Sequence, residues 1–232
     1  KYAAILVLIL AIPLSFYFGT RNNSLLNTQT IVSCDNGDRT NITLPDGTEV
    51  WLNSGSQLTF DSNFKKNVRQ TYLEGEAYFS VKKDSSRPFK VKTSKIDIEV
   101  LGTEFNLKAY PDENQISATL VTGSLKVISG TQQTIINPNQ KLIFSKENEK
   151  MGLIELKSLD SEIEWKNGRF VFVNESLAEI KPKLERWFDV EIEFSDEMVK
   201  QRRFSGTIDR ESILEAIAYF GYSPFVAYRI DG

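Results

Sequence analysis

The chain has 232 residues, 41% of them hydrophobic and 25% charged, so it can bury one large core or two modest ones and is not disordered by composition. Its net charge of −3 excludes the basic footprint that nucleic-acid binding requires. With no histidine and one cysteine, it lacks the Ser-His and Cys-His routes to an activated nucleophile, the commonest zinc ligand and any thiolate cage.

The first element is an uncharged run from Ala3 to Phe18, containing Pro13 and Ser15, just under the ~20 residues that a bilayer-spanning helix needs. Tyr17 and Phe18 suit an interfacial aromatic belt. A cleaved signal peptide would place small residues where Phe16, Tyr17 and Phe18 stand, and a buried core helix would show a polar face. Residues 1–19 are therefore expected to be an uncleaved transmembrane anchor. The sequence starts with Lys rather than Met, so a further segment is expected before the anchor. Lys1 stays cytoplasmic by the positive-inside rule, although Arg21 weakens the bias; residues after about 20 then lie in the periplasm.

Residues 20–30 are polar and read as a linker. Cys34 follows Ile31-Val32-Ser33 in a faint lipoprotein-like box, but the polar stretch separates it from the apolar run, and it reads as a small residue at the start of a strand. A lone cysteine also fits an oxidising compartment.

From Ile31 to about Leu159 the pattern has period two. Ala77, Phe79 and Val81 alternate with polar residues, as do Ile96, Ile98 and Val100, then Phe105, Leu107 and Ala109. Such alternation predicts strands with one buried and one wet face. Pro45-Asp46-Gly47 predicts a tight hairpin, and Asn53-Ser54-Gly55-Ser56, Gly102-Thr103, Thr122-Gly123-Ser124 and Asn137-Pro138-Asn139 mark further bends. Residues 31–160 are expected to be all-β, as a sandwich, barrel or solenoid-like roll.

The pattern changes after Trp165, and residues 161–232 read as a separate α+β unit. Arg169–Val173 predicts a strand. Ser176-Leu177-Ala178-Glu179 is a capping box opening a helix with Leu177, Ile180, Leu184 and Trp187 on one face; Pro182 should kink it or shorten its first turn. Val190–Phe194 and Phe204–Ile208 predict strands. Ser212-Ile213-Leu214-Glu215 is a second capping box, its helix ended by Gly221, and Phe225–Ile230 predicts a last strand. The order is β-α-β-β-α-β.

Few constellations carry chemistry. Glu74 and Glu76, two apart on a strand, would share a face as glycosidase carboxylates must, although Glu74-Gly75-Glu76 also reads as a turn. Lys82, Lys83, Arg87, Lys90, Lys92 and Lys95 offer either a docking face for an acidic partner or a solvated strand face. Ser54 and Ser56 near Lys65 or Lys66 suggest a Ser-Lys dyad only in principle. No phosphate loop or metal-ligand run is present, and no cofactor is expected. Trp51, Trp165 and Trp187 sit in hydrophobic contexts and serve either core packing or partner anchoring.

Several blocks resemble the FecR family of anti-sigma factors, in the form common in Bacteroidetes. Leu44-Pro45-Asp46-Gly47-Thr48-Glu49-Val50-Trp51-Leu52-Asn53-Ser54-Gly55-Ser56 opens the resemblance. It continues through Leu73–Val81, Pro88–Thr93, Val100–Leu107 and Leu120–Gly123, and Leu177–Phe194 resembles the family's C-terminal unit. The resemblance implies a single-pass inner-membrane protein, not an enzyme. A cytoplasmic region, expected before Lys1, would hold an extracytoplasmic-function (ECF) sigma factor. The periplasmic part would receive a signal from a TonB-dependent outer-membrane transporter. The C-terminal unit would resemble the small signalling domains of transporters and secretins. The alternative is a periplasmic or surface carbohydrate-binding module. A small open sheet offers edges that a partner can extend. The partner is expected on the C-terminal unit or its junction near Trp165, with Trp165, Trp187, Phe188, Phe204 and Phe225 as candidate contacts.

Overall fold

The structure, a computed structural model, describes residues 29–62, 64, 68–209, 211–222, 226, 228 and 229. The expected anchor, the linker except for Gln29 and Thr30, Lys65, Lys66, and Phe225, Ala227 and Ile230 of the last expected strand lie outside the described residues. Among the described residues no helix is long and apolar enough to cross a membrane.

The period-two segments form a curled 13-stranded sheet. Its first strands are β1 (Gln29–Cys34), β2 (Thr40–Thr43), β3 (Glu49–Leu52), β4 (Ser56–Asp61), β5 (Arg69–Ser80), β6 (Phe89–Lys92) and β7 (Asp97–Val100). The rest are β8 (Glu104–Ala109), β9 (Gln115–Thr122), β10 (Leu125–Ser129), β11 (Gln132–Ile136), β12 (Gln140–Ser145) and β13 (Met151–Glu155). Strand β5 is the spine. Its first half lies between β4 and β6, and its second half between β3 and β8. One layer therefore runs β11-β10-β7-β6-β5-β4-β1 and the other β2-β3-β5-β8-β9-β12-β13. Among the described residues only the β5–β6 pairing is parallel.

The sheet changes layer at Gly75, whose φ is +104°. A Cβ there would fall 2.4 Å from Ser56 Oγ and 2.6 Å from Ser56 Cα, so only glycine fits this approach. This corrects two expectations. Glu74-Gly75-Glu76 is no turn, and the carboxylates do not share a face: Glu74 is exposed and Glu76 is buried. The left-handed residue between them breaks the alternation.

The inward faces of the two layers close on one core. Leu52, Phe79, Phe105 and Phe144 are fully buried there, with Phe79 and Phe105 stacked at 4.9 Å. The predicted hairpin joins β2 to β3, with Gly47 at φ +84°. Asp46 accepts from the Thr48 N–H and pairs at 2.8 Å with Arg69, whose other bonds go to the carbonyls of Lys82 and Arg87. Arg69 is almost wholly buried and ties the hairpin to the parallel crossover.

A second apolar cluster forms in the C-terminal unit from Phe170, Phe172, Leu177, Ile180, Leu184, Ile208, Ala216 and Phe220. Strands β14 (Arg169–Ser176) and β15 (Arg203–Asp209) pair antiparallel. Between them lie α2 (Leu177–Phe188) and the short α3 (Glu197–Lys200), and α4 (Ile213–Gly221) follows. Both capping boxes are formed, at Ser176/Glu179 and Ser212/Glu215. Helix α2 passes unbroken through Pro182. The box already fixes its first turn, and Leu177, Ile180 and Leu184 pin it on both sides of the proline. Val190–Phe194 is not a strand. Its alternating Ile192 and Phe194 pack against the cluster, but it has no ladder partner among the described residues.

Candidate functional site

The outward side of the second layer carries the site. Neighbouring strands there align Trp51, Tyr78, Asn106, Thr119 and Lys141 in one row. Period two predicts that such a row is wet. Instead Tyr78, Asn106 and Thr119 are buried, because a segment of the chain lies across them. That segment is α1 (Asp160–Ile163) and the 3-10 turn after it, Glu164–Asn167.

The segment follows the row residue by residue. Glu162 accepts from Thr119 Oγ1 at 3.1 Å and pairs with Lys141 at 2.7 Å. Trp165 Nε1–H donates to Asn106 Oδ1 at 3.2 Å. The Lys166 ammonium lies 3.8 Å from the Tyr78 ring centroid and 5.4 Å from that of Trp51, while Trp51 and Tyr78 meet edge to face. Asn106 also donates to Glu76 Oε1 at 2.7 Å, and Asn53 to Glu76 Oε2 at 2.8 Å. A buried polar network thus runs from the spine of the sheet to Trp165. Such networks are costly unless every member is satisfied, and here each carboxylate oxygen of Glu76 has an amide partner.

A second contact lies at the far end of α2. Arg186 pairs with Asp112 at 3.1 Å and with Glu113, and its guanidinium lies 3.7 Å from the Tyr110 ring centroid. Glu113 also pairs with Lys108 at 2.7 Å. The Gly37 N–H donates to the Arg186 carbonyl at 2.8 Å, and Arg39 stacks over Trp187 at 4.0 Å.

Between these two contacts is a cavity of about 930 Å³. Its lining mixes Glu76, Lys108, Glu162, Glu175 and Lys183. Lys183 reaches from α2 to Glu175 at 2.5 Å. Burial works against its ammonium, but the carboxylates of Glu175, Glu162 and Glu76 prevail and raise its pKa. Burial, then Glu76, pushes the Tyr110 phenol well above its usual range; its hydroxyl donates to the Ser54 carbonyl. Among the described residues no cluster of carboxylates and thiols is arranged to hold a metal.

The candidate contact residues fall into two groups. Trp165 and Trp187 line the cavity. Phe188 and Phe204 are half-buried supports of the C-terminal cluster, Phe204 meeting Phe220 edge to face at 5.1 Å. Phe225 lies outside the described residues. Of the five candidates, Trp165 and Trp187 are the ones that line the cavity among the described residues. Arg186, Lys166, Glu162 and Lys183 were not singled out by the sequence; the only signal was their place beside Trp187, Trp165 and Pro182.

Other candidates resolve into structure. Ser54 Oγ donates to the Asp38 carbonyl, and Ser56 Oγ accepts the Glu76 N–H, so both hydroxyls are engaged in the fold. Within the basic stretch Arg87, Lys90, Lys92 and Lys95 each face an acid, Asp84, Glu99, Asp97 and Glu149. That favours the solvated strand face over an acid-binding one.

Comparison with known proteins bears on the whole arrangement. A family model described as FecR protein matches residues 30–126, and one described as FecR, C-terminal, matches residues 169–232. Two solved structures, each described as a "putative anti-sigma factor" from Parabacteroides distasonis ATCC 8503, are similar over 88% of this chain and 95% of theirs. Each shows 28% identity and a TM-score of 0.81. The curated proteins give no match. The matched segments fall on the curled sheet and on the C-terminal unit in the family's order, and the chain belongs to the FecR family.

Proposed function

We propose that this chain is the sensory part of an anti-sigma factor, which works by binding proteins and not by catalysis. It is held in the inner membrane by residues 3–18, with the described residues in the periplasm. There it relays a signal from a TonB-dependent outer-membrane transporter to an ECF sigma factor held by a cytoplasmic region. The observation that carries this reading is the paired match to both FecR segments together with the likeness, over most of the chain, to a structure described as an anti-sigma factor.

The site agrees with a relay. Its buried carboxylate, Glu76, is engaged by two amides, and the cleft residues pair with one another across the junction. A glycan platform needs open aromatic faces. Trp51 is covered by Lys166 and Tyr78, and Trp165 is buried. The transporter's signalling domain docks on the C-terminal unit or at its junction, with Trp165, Trp187, Phe188, Phe204 and Phe225 as its candidate contacts. The test is capture of the isolated signalling domain by the chain with and without residues 165–232. Binding is expected to disappear in the shortened chain; undiminished affinity rejects this placement.

A further inference from the structure

We infer that the C-terminal unit is a lever, hinged at Gly168 and latched to the sheet by Arg186, with Lys183 as an ionic strut between.

The hinge is defined by what flanks it. Before Gly168, Trp165 and Lys166 are fixed to the outward row of the sheet. After it, Phe170 and Phe172 belong to the second apolar cluster. Gly168 itself has φ +82°, and nothing lies within 4 Å of where its Cβ would be. Glycine is required there by backbone conformation and not by crowding. Arg169 crosses the hinge to Glu164 on the exposed side.

The two apolar clusters share no residue, and Trp165 belongs to neither. Opening the cleft therefore splits neither cluster. Among the contacts it separates are ionic, hydrogen-bonded and cation–π ones: Arg186 from Asp112, Glu113 and Tyr110, Gly37 from the Arg186 carbonyl, and Arg39 from Trp187. Polar interfaces between units of one chain are the kind across which units move. Gly55 shows the closed fit: at φ +68°, a Cβ there would lie 3.3 Å from Arg186 Cδ.

Lys183 makes the strut. Lys183 pairs with Glu175 on β14 at 2.5 Å, and Glu162 on α1 and Glu76 on β5 line the same cavity and also favour its charged form, so the ammonium lies in the field of the lever, the docked linker and the sheet. Closure brings these carboxylates around the cation; opening leaves Lys183 with Glu175 alone. A partner that pulled on the C-terminal unit would thereby change the surroundings of Glu76, on the spine of the sheet.

Electron-spin distance measurement on the full chain, solubilised in detergent, tests the lever. Labels go on Gln133→Cys in β11 and Met198→Cys in α3, both exposed, in a Cys34→Ser background. Without added salt, one narrow distance is expected. Raising salt from about 0.01 M to about 1 M shortens the screening length from about 30 Å to about 3 Å, and a second, more separated population should grow about fivefold. Arg186→Ala should produce that population at low salt, and Asp112→Asn with Glu113→Gln should reproduce it while keeping the arginine. If a variant fails to fold, the salt series on the unaltered latch decides. A distribution that stays narrow and fixed through the salt series overturns the lever. So does a shift that appears only together with loss of the helical signal, since the unit would then be melting and not swinging.

Discussion

The curled sheet and the C-terminal unit are stabilised in different ways. In the sheet, two layers close on a continuous core in which Val50, Leu52, Phe79, Phe89, Phe105 and Phe144 have no exposure. In the C-terminal unit the buried cluster is small, and Trp187, Phe188, Ile192, Phe194 and Phe204 are only half-buried around it. Small units bury a smaller fraction of their surface and leave less margin over chain entropy. There, helix caps and contacts with a neighbour become a large share of the total. The sheet can hold a buried carboxylate at Glu76 because so much else fixes the strands around it.

The comparison breaks first at the core. Phe105→Ala removes a fully buried ring stacked on Phe79 at 4.9 Å. It should cost about 3–5 kcal/mol, read as a lower denaturation midpoint for the β signal. The helical signal from α2 and α4 should keep its own midpoint. One common transition for both signals would show that the two clusters unfold as a unit, and that the contrast drawn between them is wrong.

Much of this architecture was legible in the sequence because it is local. Period two located the strands, Pro45-Asp46-Gly47 located the hairpin, and two Ser-x-x-Glu boxes located the helix starts. The misreadings share another cause. Glu74 and Glu76 part company because Gly75 meets Ser56 on a neighbouring strand. Asn106 is buried by Trp165, which is 59 residues away in the chain. Val190–Phe194 has strand-like alternation but, among the described residues, no strand beside it. Alternation reports which side chains face an apolar surface and says nothing about whether the backbone finds a ladder or what covers the other face.

The caps sharpen the comparison at a smaller scale. Ser176 accepts the Glu179 N–H at 3.3 Å and is buried; Ser212 makes the same bond to Glu215 in the open. Ser176→Ala should cost about 0.5–2 kcal/mol, with Ser212→Ala at the lower end of that range. Both losses should appear in the helical signal and leave the β midpoint in place. The Ser176 change should exceed the Ser212 change, because its neighbours are then left unpaired away from water.

Acid gives the finest test, because the same boxes titrate. The Ser176 N–H and then its hydroxyl hold the Glu179 carboxyl below its usual range, against a smaller opposing effect of burial. The Ser212 N–H and hydroxyl do the same for Glu215. A carboxyl whose pKa is lower in the folded state contributes stability that is present above the unfolded value, about 4.3, and is lost as pH falls through the folded one. Both caps lie in the C-terminal unit, so its helical signal should weaken below about pH 4 before the core of the sheet responds. The sheet has a counterpart in Asp84, held low by Ser86 and Arg87, but these bonds tie only the loop between β5 and β6. Glu179→Gln together with Glu215→Gln keeps an acceptor at each box and removes the titration. Helical thermal midpoints measured from pH 7 to pH 3 should then flatten relative to the unaltered chain. An undiminished acid slope would place the weakness elsewhere and would mean that the small unit does not depend on its caps in the way its thin core demands.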